Sequence, residues 1–144
     1  MEVKTGEPGK GAAQAEAPQK TDREIFYGLS EVIYKYPKST EDRLRSVDRR
    51  AERLLLGNGS ASEIKALRDY SHREIMLLAE NYYQASKNIP MKDSARAFRT
   101  RMMCESYSDA YRALGKGDVA AARTAMKRGK EQNDELLDSF SRDR

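Results

Sequence analysis

The sequence predicts an all-α fold, a five-helix antiparallel bundle preceded by a disordered N-terminal tail. Apolar residues return every three or four positions from Ile25 to Phe140, the spacing of one helical face. Capping signals and Gly/Pro punctuation divide that run into five. No segment alternates in twos with β-branched enrichment, so strands are not expected.

The first twenty residues, MEVKTGEPGKGAAQAEAPQK, hold no Leu, Ile, Phe or Tyr. They offer too little apolar surface to offset an ordering cost of about 1–2 kcal/mol per residue. Residues 1–20 are therefore read as a tail and 21–141 as one helical domain. The tail lacks the apolar centre of a secretory signal. No stretch reaches the roughly 18 apolar residues of a membrane-spanning helix, so no membrane insertion is expected.

TDRE (Thr21 to Glu24) has capping-box spacing and opens the first helix, with Ile25, Leu29, Val32 and Tyr36 on one face and Pro37 as its stop. STED opens the second, whose apolar positions are Leu44, Val47, Ala51 and Leu54, and GNG (57–59) closes it. SASE (Ser60 to Glu63) begins the longest helix, predicted to run to about Asn88. Its seam is Ile64, Ile75, Leu78, Tyr82, Ala85 and Ile89, and Arg68 falls on that seam. Asp93 caps a fourth helix with Phe98, Met102, Met103, Tyr107, Ala110 and Leu114. After the GKGD turn, Asp118 caps a fifth with Val119, Ala122, Met126, Leu136 and Phe140.

The segment SYSDAYRALGKGDVAAARTAMKRG (106–129) resembles a tetratricopeptide-type helical hairpin. No repeat of about 34 residues recurs upstream, and no repeat-protein function is carried over from it. RDYSH resembles the arginine-to-histidine motif of helical ribonucleases of the HEPN family. Only three residues separate Arg68 from His72, fewer than that motif has.

Little else points to catalysis. There is one histidine and one cysteine, Cys104, so neither a cysteine zinc site nor a second carboxylate-x-x-His motif for a di-iron bundle can be built. No catalytic residues, metal or cofactor are expected. A lone thiol with no signal peptide makes the cytoplasm the default location.

Charge raises two questions. RLRSVDRRAERLLL (43–56) stacks Arg45, Arg49 and Arg53 at spacings of four, a repulsive arrangement that calls for anions. The acids Glu131, Asp134, Glu135 and Asp138 of the fifth helix are the expected partners. Residues 92–130 carry ten basic and four acidic side chains. There Lys92, Arg96 and Arg99, with Lys116, Arg123, Lys127 and Lys130, form two stripes suited to phosphate contact. Tyrosines lie on more than one side of their helices, as half-wet interfaces favour. The reading is a non-enzymatic helical interaction or assembly protein, self-associating through the third helix as a homodimer, with Tyr70, Tyr82 and Tyr83 at the interface. The alternative is a nucleic-acid-binding accessory protein using the basic stripes.

Overall fold

A computed structural model describes residues 19–29 and 35–142, and the expected tail falls almost wholly outside them. Among the described residues there are five helices and no strand: α1 (Asp22–Tyr27), α2 (Lys38–Leu56), α3 (Ala61–Ser86), α4 (Ser94–Lys116) and α5 (Val119–Arg142). No helix among them is long and apolar enough to cross a membrane.

Helices α2 to α5 pack as an antiparallel ring in which α4 lies against both α3 and α5, α3 against α2, and α2 closes on α5. The α2–α5 contact is the sparsest of the four. The stripes read from sequence meet in the middle: Leu44, Val47, Ala51 and Leu54 pack with Ile64, Ile75, Leu78, Leu114, Ala122 and Met126. A smaller cluster of Phe26, Met103, Cys104, Leu136 and Phe140 fills one end.

Helix starts follow the capping chemistry. Thr21 and Ser60 each close a reciprocal capping box with Glu24 and Glu63, and Asp93 and Asp118 accept from the backbone N–H of Arg96 and Ala121. Gly117 ends α4 in the left-handed region, φ 84°, where a side chain would be strained. The space a Cβ would take there is filled by the Arg68 guanidinium.

Four expectations are corrected. The first helix ends at Tyr27 instead of reaching Tyr36, and Val32 lies outside the described residues. The Tyr36 hydroxyl instead donates to Asn81 of α3 (3.2 Å). The second helix starts at Lys38, directly after Pro37, before the STED signal. The third ends at Ser86 and bends at Ser71 (φ −128°, ψ 23°). Phe98, read with the apolar positions of the fourth helix, is 57% exposed, with the Arg101 guanidinium 5.2 Å from its ring.

Short α1 is tied across the end of the bundle. Both Asp22 carboxylate oxygens accept from the backbone N–H groups of Lys92 and Asp93 (2.8 and 3.0 Å), and Arg23 donates to the Phe140 carbonyl. The Phe26 and Phe140 rings lie 5.3 Å apart.

Candidate functional site: an acidic, aromatic cleft

Asp48 stands beside Val47 on the inner edge of α2, and α3 and α4 each bring a tyrosine to it. The Tyr82 hydroxyl donates to Asp48 Oδ2 at 2.9 Å, while Tyr111 donates to Oδ1 and to the Asp48 carbonyl (3.2 Å). The two phenol rings stack in parallel, centroids 5.9 Å apart, and Tyr107 packs 5.2 Å from Tyr82. Each carboxylate oxygen thus has its own O–H donor, which is what makes burial of the group tolerable.

One turn on, Glu52 enters the same space, a cleft of about 310 Å³ lined by residues from all five helices. Its other walls are Phe26 and Tyr27 of α1 with Leu29 just beyond its end, Tyr82 and Ala85 of α3, Met103, Cys104 and Tyr107 of α4, and Asn133 and Leu137 of α5. The volume falls at the lower end of the range for small-molecule pockets, about 300–1,000 Å³. Tyr107 takes its place because α5 has no side chain opposite it: a Cβ on Gly129 would sit 2.6 Å from the ring.

Desolvation dominates the electrostatics. It pushes the Asp48 carboxyl above the usual range, opposed by the hydrogen bonds of Tyr111 and Tyr82 and by the charges of Arg45 and Arg49. Glu52 is raised first by desolvation and then by Asp48 and Asp134, with Lys130 opposing. Burial also raises Tyr82, Tyr107 and Tyr111, and lifts the Cys104 thiol to about 12 with a contribution from Glu105. Such a thiol is a poor nucleophile.

The residues singled out in the sequence are distributed differently. Tyr70 is 89% exposed, next to the bend in α3, and Tyr83 lies on the same helix under the Lys87 and Arg112 cations (4.6 and 5.7 Å). Tyr82, expected beside them, turns inward, because its hydroxyl is held by Asp48. The basic stripes are partly spent inside the molecule. The Arg123 guanidinium caps α2, donating to the carbonyls of Leu54, Leu55, Gly57 and Gly59 at 2.9–3.2 Å. Arg96 donates to Ser139 and covers the Phe140 ring (4.4 Å), Arg99 pairs with Glu135, and Lys130 with Asp134 (2.7 Å). Lys92, Lys116 and Lys127 are exposed.

The α2 arginines also find different partners from those expected. Arg45 meets Glu41 of its own helix (3.3 Å) and Arg43 meets Glu74 of α3 (3.1 Å), while Glu135 of α5 faces α4. Register is the cause: the end of α2 lies against Arg123, so further along α5 Glu135 is offered to α4, while Asp134 pairs with Lys130 of its own helix and faces Glu52 of α2. Arg68 sits 3.6 Å from Asp69, and exposed His72 lies over the α4 C-terminus beside Gly115. Among the described residues no group of three or more His, Cys, Asp or Glu is arranged to hold a metal ion.

Sequence reasoning missed the Asp48 cluster. The available signal was an acidic residue adjoining the apolar stripe of α2, together with Tyr82 on the seam of α3. Comparison with protein-family models, curated proteins and solved structures finds no match.

Proposed function

We propose that this protein works by binding, as a non-enzymatic helical interaction or assembly protein that self-associates through α3. The observation that carries this reading is where large apolar side chains meet water. Five are exposed among the described residues, and three of them, Tyr70, Met76 and Tyr83, belong to α3. An aromatic side chain held out on a rigid helix supplies contact area at low entropic cost, as interface anchors do. The cytoplasm suits this role, since a lone thiol such as Cys104 stays reduced there.

The nucleic-acid reading has less support. Arg96, Arg99, Arg123 and Lys130 would have to give up partners inside the molecule before meeting phosphate.

Light scattering across a concentration series tests self-association against the 16.4 kDa chain mass. The expected result is a mass rising toward twice that value, returning to one chain in Tyr70→Ser with Tyr83→Ser, with helical circular dichroism unchanged. A single-chain mass at every concentration overturns the dimer. Salt-sensitive oligonucleotide binding that is lost in Lys116→Glu with Lys127→Glu would favour the alternative.

A further inference from the structure

The cleft differs in composition from the chain that forms it. Lys and Arg account for 27 of the 144 residues, yet none lines the cleft. Its walls instead carry two carboxylates and the rings of Phe26, Tyr27, Tyr82 and Tyr107. Neither carboxylate belongs to an ion pair among the described residues. The Asp48 oxygens are held by phenol hydroxyls, while Lys130, which acts on Glu52, is bonded to Asp134. Two carboxylates thus converge on an aromatic space whose lining holds no cation, with Arg45, Arg49 and Lys130 acting from outside it.

The chemistry selects among occupants. A hard metal ion takes six or more oxygen ligands at short range, and among the described residues no group of three or more His, Cys, Asp or Glu is arranged to supply them. A neutral apolar molecule would leave both carboxylates facing hydrocarbon, which costs free energy. An anion would be repelled. A cation that carries its own hydrocarbon groups satisfies both halves of the lining, because ring faces attract positive charge and the carboxylates neutralise it.

We infer that this cleft binds a small organic ammonium ion, its charge set between Asp48 and Glu52 and its hydrocarbon groups laid against Phe26, Tyr27, Tyr82 and Tyr107. The inference is independent of self-association, since none of Tyr70, Met76 and Tyr83 lines the cleft.

The test is calorimetric titration of the full chain with choline, tetramethylammonium and n-butylammonium, and with 3,3-dimethyl-1-butanol as the neutral isostere of choline. The expected result is saturable binding of at least one cation, with the neutral isostere about tenfold weaker or more. Glu52→Gln, which keeps shape and removes charge, weakens the cation and leaves the neutral compound unchanged. Tyr107→Phe retains binding while Tyr107→Leu loses it, since the ring face makes the contact and the hydroxyl does not. Thermal unfolding of each variant separates lost binding from lost fold. Equal affinity for choline and its isostere, or no saturation by any of the three cations below about 10 mM, overturns the inference.

Discussion

The Asp48 carboxylate concentrates opposing effects in one side chain. Burial disfavours its charge, and two phenol donors stabilise it. Removing it leaves the Tyr82 hydroxyl without its acceptor and Tyr111 with only the backbone carbonyl of residue 48, so Asp48→Ala is expected to cost about 1–3 kcal/mol of stability in urea unfolding. Asp48→Asn, which keeps one acceptor oxygen, costs less. The pH dependence follows from the raised carboxyls of Asp48 and Glu52. A folded-state value above the unfolded one means that their contribution is fully present below the unfolded range, near 4, and is lost as pH rises through the folded values. The groups facing them are Tyr82, Tyr107, Tyr111, Lys130 and Asp134, with Arg45 and Arg49 acting at longer range. The wild type should therefore lose stability as pH rises above the unfolded carboxylate range, more steeply than Glu52→Gln does, as denaturant midpoints would record. The same burial protects Cys104: its thiol should react with a disulfide reagent only as fast as the chain opens.

At the scale of elements, two close approaches hold the helices in register. Arg123 reaches from α5 to four carbonyls at and beyond the end of α2, satisfying acceptors that a helix terminus leaves open and placing a cation at the negative end of its dipole. Hydrogen bonds from a charged donor contribute more than neutral ones, so Arg123→Ala is expected to lower stability by about 2–3 kcal/mol. Calorimetric unfolding checks this, and an unchanged midpoint would show the cap to be dispensable. Gly129 lets α5 approach the Tyr107 ring. Gly129→Ala gains helix propensity but forces that ring aside, and overpacking of this kind costs about 1–3 kcal/mol. A net loss of stability is expected, together with a changed environment for Tyr107 in aromatic NMR spectra.

For the molecule as a whole, the local signals were sufficient for the elements. Capping residues at Thr21, Ser60, Asp93 and Asp118, together with stripes such as Leu44–Val47–Ala51–Leu54, were enough to read an all-α antiparallel bundle. They act within three or four residues, where sequence distance and spatial distance are the same. Charge pairing was not legible in this way. Arg123 and Lys127 are equivalent on a helical stripe, and only the packing of α5 against α2 turns one into a cap and leaves the other in water. Tyr70, Tyr82 and Tyr83 are likewise near neighbours on one helix, yet Tyr82 alone meets a buried carboxylate. The cleft is the furthest from local information, because its acids and rings come from four separate helices and a fifth closes it with Asn133 and Leu137. What the sequence by itself determined is where the chain coils and which faces turn inward, since periodicity and capping are short-range properties. What only the tertiary structure decided is which charges are neutralised and where the empty space lies, since both depend on the register between helices.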